Sequence, residues 1–216
     1  MAKRSPTTTP TTAATRQIIA FTALYDHFNR SLFDGSLPHA FLNFSRKNHT
    51  NGFFAPLRWS EATPGETARP LHEISIHPGT LSYREPIAIA STLVHEMVHL
   101  WQHDHGKPSR TGYHNSEWAD RMESIGLMPS DTGAPGGKRV GQRMTHYIIP
   151  GGAFDRAFHT CASRLPLQCV DTSPAPAKPR AKCKYQCTCG ASAWGKPSLH
   201  LRCDDCDLPM TEEVSP

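Results

Sequence analysis

Two histidines four residues apart, with a glutamate after the first, sit inside the clearest helical pattern of this chain: His95-Glu96-Met97-Val98-His99. Pro86 suits the first position of a helix, where its missing N–H leaves nothing unpaired. Ile87, Ala90, Val94, Val98 and Trp101 then recur at spacings of three and four, an apolar stripe for a core. Gly106 is a natural stop. On such a helix His95 and His99 share one face, one turn apart, beside Ser91 and Gln102. Neutral imidazoles so placed can hold a zinc ion and leave positions open for water. Glu96 stands where it can take that water's proton. The competing reading is a core helix whose histidines only form hydrogen bonds. The length and start of the helix favour the metal.

A catalytic zinc needs a third protein ligand, and three histidines downstream are candidates. His103 lies one turn further along the same helix. His105 occupies the third-histidine position of a metzincin, but that pattern needs glycine at 102 and this chain has Gln102. His114 follows a loop over 106–113, rich in Gly, Pro and Ser, and precedes a second helix expected over about 115–125. Trp118, Met122 and Ile125 form that helix's apolar face, and Gly126 ends it.

These residues resemble the SprT-like (Spartan-like) zinc metallopeptidase family. The matching segments are His95-Glu96-Met97-Val98-His99 and Gly112-Tyr113-His114-Asn115-Ser116-Glu117-Trp118. The family carries HExxH on one helix and its third histidine just before the next, in a segment like G-H-G-P-E-F. His114, Glu117 and Trp118 align with its His, Glu and Phe. Tyr113 and Asn115-Ser116 depart from it, which bears on loop shape more than on the ligand. The resemblance covers roughly residues 17–130. It implies His114 as the third ligand and proteins crosslinked to DNA as a substrate class.

Upstream, residues 17–33 read as an amphipathic helix, with Ile18, Phe21, Leu24, Tyr25, Phe28 and Leu32 on one side. Segments 40–45, 52–59 and 72–77 read as strands. The last, His72-Glu73-Ile74-Ser75-Ile76-His77, alternates as a half-buried strand does, and Pro78-Gly79 ends it. The resemblance suggests that 72–77 accepts the substrate backbone as an added strand; a plain sheet strand is the equal alternative. In the glycine-rich stretch 135–153, Met144–Ile149 reads as a short packed strand. His146 or Tyr147 facing the cleft, with Tyr147 stabilising an oxyanion, is the lesser alternative.

Five of the seven cysteines fall between 183 and 206. Cys187-Thr-Cys189 and Cys203-Asp-Asp-Cys206 form two pairs that can surround a tetrahedral zinc, and so short a module needs such a staple. The first pair is C-x-C rather than C-x-x-C, so Cys183 is a possible substitute ligand. Disulfides are the alternative. The start Met1-Ala2-Lys3-Arg4 has no apolar run behind it, so no secretory signal and no oxidising compartment are expected. The pattern resembles the zinc ribbon that follows the peptidase domain in bacterial SprT-like proteins. Cys161 and Cys169 are expected to be ordinary thiols.

The net charge of +4 is unevenly spread. Lysine and arginine cluster at 138–164 and in the Pro-rich segment 171–182, whereas residues 185–216 are acidic. Lys178, Arg180, Lys182 and Lys184 are therefore the candidate DNA contacts, for single- or double-stranded DNA. A solvated basic face is the plainer reading.

The expected fold class is α+β: a zincin-like metallopeptidase domain with a small sheet and an HExxH helix, then a small zinc ribbon. Expected boundaries are a disordered tail at 1–16, the peptidase domain at 17–165, a Pro-rich basic linker at 166–182, the ribbon at 183–210 and a tail at 211–216. The expected function is zinc-dependent hydrolysis of peptide bonds in proteins, including DNA-bound ones. Glu96 is the general base. One catalytic zinc sits on His95, His99 and His114, and one structural zinc on Cys187, Cys189, Cys203 and Cys206. The alternative is a non-enzymatic adaptor or regulator with a vestigial peptidase domain. The chain is expected to be a cytoplasmic monomer without membrane contact.

Overall fold

The computed structural model describes residues 12–47, 50–62, 64–65, 67–161 and 182–213. The chain divides into two compact units, residues 1–173 and 174–216. The expected linker falls almost wholly outside the described residues. So do Lys178, Arg180, Cys169 and most of the N-terminal tail.

The first unit opens with α1 (Ala13–Leu32). It starts four residues before the expected 17, because Thr12 caps it: the Thr12 hydroxyl accepts from the Thr15 N–H. Phe21, Leu24, Tyr25, Phe28 and Leu32 are buried as expected, but Ile18 is 43% exposed. Three strands follow: β1 (Ala40–Phe44), β2 (Gly52–Glu61) and β3 (Arg69–Ile76). Their order in the sheet is β1-β3-β2, with β1 parallel and β2 antiparallel to β3. The last expected strand is thus the middle one. His72 through Ile76 are all buried, not alternately exposed. Ile74 and Ile76 face the helices; on the other face Ser75 donates to Glu73, which also accepts from Asn43 and from the Trp59 indole. Because both neighbours take up the β3 backbone, 72–77 cannot accept a substrate strand. That expectation is corrected: the edge beside the helices belongs to β2.

A 3-10 turn (Pro78–Ser82) leads into α2 (Pro86–His105), which starts at Pro86 and closes at Gly106 as the sequence predicts. The predicted stripe is too narrow. Leu93, Met97 and Leu100 are as deeply buried as Ala90, Val94 and Val98, because α2 is the central helix of the unit. Then come α3 (Ser116–Ser124), β4 (Leu127–Ser130), β5 (Thr145–Ile148) and α4 (Ala153–Cys161). Trp118, Met122 and Ile125 are buried as predicted. β5 is the short strand expected over Met144–Ile149; its partner β4 and the helix α4 are additions. Phe154 and Phe158, four apart on α4, join the core, and Phe154 stacks on Phe28.

The second unit is a three-stranded antiparallel sheet: β6 (Cys183–Gln186), β7 (Ser192–Gly195) and β8 (Thr211–Glu213), in the order β7-β6-β8. Its apolar centre is Tyr185, whose hydroxyl donates to the Lys196 carbonyl at 2.6 Å. No helix among the described residues is long and apolar enough to cross a membrane.

Candidate functional site

The helix places His95 and His99 on one face, and the loop after it returns His114 to them. Ligand nitrogens of the three lie within 4.8 Å of one another, so the trio could hold a metal ion. The His99 and His114 Nε2 atoms are 3.1 Å apart. His114 Nδ1 is 3.1 Å from the Gly141 carbonyl. A carbonyl only accepts, so Nδ1 carries the proton and Nε2 presents a lone pair. His95 Nδ1 lies 3.3 Å from His146 Nδ1. With His95 as donor there, its Nε2 is free as well. Burial, then repulsion from neighbouring imidazoles, holds His95 well below the ordinary histidine range and brings His99 down to about 3. Burial also lowers His114. The histidines are therefore neutral, the form a metal requires. Trp118, fully buried, packs its ring against all three, with centroids at 4.9, 5.4 and 4.4 Å.

His114 is fixed by two sets of bonds. Its backbone exchanges hydrogen bonds with Gly141 in both directions, at 2.8 and 3.1 Å. The next residue, Asn115, caps α3 by accepting from the Trp118 N–H. Buried Gln102 donates to Asn115 and to Glu117, each at 2.7 Å, and the Lys107 N–H donates to Glu117 as well. The end of α2 is thereby tied to the start of α3. A Cβ at Gly106 would meet the Glu117 carboxylate at 2.5 Å, so a side chain there would have to displace the group that receives Gln102 and the Lys107 N–H.

Glu96, 6% exposed, lies beside the trio on the floor of a cleft of about 920 Å³ that also borders His99, His114, Phe53, Phe54 and Tyr113. Burial pushes its carboxyl up to about 8, against the opposing pull of a hydrogen bond from the Phe54 backbone and of the Lys47 charge. The close approach of β2 depends on Gly52. A Cβ there would stand 2.9 Å from the Ser75 carbonyl, 3.0 Å from Thr92 Cγ2 and 3.3 Å from Glu96 Oε1.

The other candidates fall elsewhere. His103 and His72 both bond to Asp104, at 2.8 and 3.3 Å. This second trio could also gather round a metal. However, His72 Nδ1 accepts from the Leu57 N–H at 3.3 Å, so Nε2 carries the proton and is satisfied by Asp104. His105 is exposed at the end of α2. His146 and Tyr147 lie on a strand, as expected, and also line a cavity next to Glu96. His146, brought down to about 4 by burial and the Arg84 charge, is thus a neighbour of the first histidine.

In the second unit Cys187, Cys189, Cys203 and Cys206 lie within 4.8 Å of one another through their sulfurs. The Cys187–Cys206 and Cys189–Cys203 separations, 3.2 and 3.6 Å, are those of free thiols. Gly190, at φ 93°, makes the tight return after Cys189 and donates to the Cys187 carbonyl. Cys183 stands outside the four, beside Glu212. Of the basic residues, Lys182 is exposed, Lys184 pairs with Glu213 at 3.0 Å, and Arg139 pairs with Asp120 and Glu123. Gly52 and Gly141 escape sequence reasoning, because each acts through a contact made only in the fold; for His146 the lesser alternative, a place facing the cleft, is the one the structure favours.

The family model described as the SprT-like family matches residues 21–141. That span runs from within α1 through β4 and holds every member of the histidine trio, Glu96, Gly52 and Gly141. No curated protein and no solved structure is detectably similar to the chain.

Proposed function

The chain belongs to the SprT-like family, and from that premise we propose that its first unit is a zincin-like, zinc-dependent peptidase. The observation that carries this reading is the convergence of His95, His99 and His114 beside the buried carboxylate of Glu96. The donor set suits zinc: tetrahedral imidazole ligands at ~2.05 Å put their nitrogens about 3.3 Å apart, against 3.1 Å for His99 and His114. Bound there, zinc polarises a scissile carbonyl and makes water a nucleophile near neutral pH.

The protein's own groups do the rest. Glu96 takes the proton of the attacking water and returns it to the leaving amine. Its dry setting raises its affinity for that proton, and the Phe54 N–H holds its orientation. Gly141 fixes the tautomer of His114, and a His95 that donates to His146 keeps its own Nε2 for the metal. β2, an edge strand bordering the cleft, can receive an extended substrate backbone. One chain supplies every group, so the reading needs only a monomer.

The four cysteines fit a structural zinc, in a ribbon that folds around it. Sulfurs at ~2.3 Å from zinc stand about 3.8 Å apart, close to the 3.6 Å of Cys189 and Cys203. Protein held on DNA remains part of the proposal through Lys178, Arg180, Lys182 and Lys184, though the Lys184 ion pair with Glu213 weakens its share. A vestigial adaptor is disfavoured by Glu96, since a metal scaffold gains nothing from a buried carboxylate that is not a ligand.

Glu96→Gln is the test. Casein and self-cleavage assays, with and without single-stranded DNA, should lose about 10²–10⁴-fold in rate. Elemental analysis should find the zinc retained. A rate within a few-fold of wild type would sink the mechanism.

A further inference from the structure

A second cavity, about 340 Å³, opens on the flank of Glu96 and His95 away from His99 and His114. Its walls include Arg84, Thr92, His146, Thr50 and Tyr147. It is at the small end of ligand pockets, the size for one side chain rather than a whole ligand.

Arg84 gives this cavity its character. The backbone N–H of Arg84 bonds to the Thr80 carbonyl, which anchors it to the turn before α2. Its Nη1 donates to the Thr92 hydroxyl at 2.8 Å, and Thr92 in turn donates to the Ala88 carbonyl at 3.0 Å. The guanidinium is therefore held in place, yet among the described residues no carboxylate pairs with it. Its charge reaches His146 across the cavity, while the cation acting on Glu96 is Lys47. Among the described residues Glu96 is the only acidic one on the wall, and it is engaged by Phe54. Arg84 is half-buried, and that burial pulls it below its ordinary pKa. Four of the five guanidinium N–H donors have no partner among the described residues and are available to a planar anion.

We propose that this cavity is a substrate subsite for an acidic side chain, aspartate or glutamate, next to the bond to be cut, with Arg84 as the residue that determines this specificity. The inference rests on the peptidase reading above. Thr92 holds the guanidinium edge-on, and the substrate carboxylate pairs with the remaining N–H groups.

The test uses binding, so that it does not depend on turnover. Zinc-loaded full-length protein is titrated calorimetrically with two series of peptide hydroxamates, extending to either side of the metal-binding head. Each series carries Glu, Gln or Lys next to that head. In one series Glu should bind about ten- to a hundredfold more tightly than Gln, and Lys more weakly than both. Arg84→Gln should erase the preference while zinc content and melting temperature hold, and Arg84→Glu should turn it towards Lys. Equal affinities for Glu and Gln in both series of the wild-type protein overturn the subsite, even if the Arg84 variants do not fold. A Glu preference in a protein that cuts no peptide supports the subsite and overturns the peptidase reading. Failure of every hydroxamate to bind overturns both.

Discussion

Gly52→Ala adds one methyl group at the point where β2 crosses α2, and its effect can be worked from the distances. The new carbon would sit 2.9 Å from the Ser75 carbonyl, and ordinary contact begins near 3.4 Å. Ser75 belongs to the middle strand, paired on both sides, so it cannot yield. Thr92 Cγ2, at 3.0 Å, is on a β-branched residue of a buried helix face and yields little. The strand must therefore move by about half an ångström. Overpacking of this kind costs about 1–3 kcal/mol, or roughly 2–4 °C of melting temperature per kcal/mol in a chain of this length. Phe54, two residues along, moves with the strand and carries its N–H away from Glu96. A misplacement of 1 Å costs about 10²-fold in rate, so half of that should cost about tenfold in kcat/KM. Zinc content should be unchanged, because no ligand lies on β2. The assays are thermal melting, elemental analysis and hydrolysis of a peptide substrate. A variant that melts and turns over like wild type would refute the claim that Gly52 sets the strand-to-helix distance. One that loses zinc would show that the strand supports the ligands instead.

His114→Ala should strip the first unit of its zinc, while His103→Ala and His105→Ala keep it; metal stoichiometry of the three proteins decides. Replacing Cys203 and Cys206 by Ser should remove one of two zinc ions and leave the first unit's melting unchanged, since each unit is compact by itself; a single zinc in the wild-type protein would contradict the ribbon. Metal-free protein should lose stability as pH falls from 6.5 towards 4 and then 3. His146 and His99 stay neutral when folded but take up protons when unfolded across that window. Glu96 works the other way, costing stability as pH rises from 4.5 to about 8. Chelated protein melted across this range should follow both slopes, and a flat profile would argue that the pocket is wet.

What could be read from the sequence was what local spacing determines. His95, Glu96 and His99 are placed by the four-residue turn of one helix, and Cys187 to Cys206 by two short turns. His114 was ambiguous with His103 and His105 by spacing alone, and the second motif, shared with the family, separated them. Gly52 and Gly141 were illegible as site residues because their roles arise from a strand crossing a helix and a loop meeting a loop. The alternation in 72–77 misled, since Glu73 and Ser75 look solvated in sequence but are covered by Asn43 and Trp59. Leu127–Ser130 was hidden by Pro129, tolerated because β4 has only one neighbour. For α4 the Phe154–Phe158 spacing was the available signal, masked by the glycines before it.

The bridge from His114 to Gly141 also bears on when the protein can work. Two ligands are local to one helix, but the third is steered by a residue 27 positions downstream, and His95 is oriented by His146, 51 positions away. A nascent or partly unfolded chain would hold only the two helical histidines in register, too few to retain zinc tightly. Long-range contacts of this kind form late in folding. On the peptidase reading proposed above, metal capture would thus mark the completion of folding, and hydrolysis would wait until the chain has closed around the site.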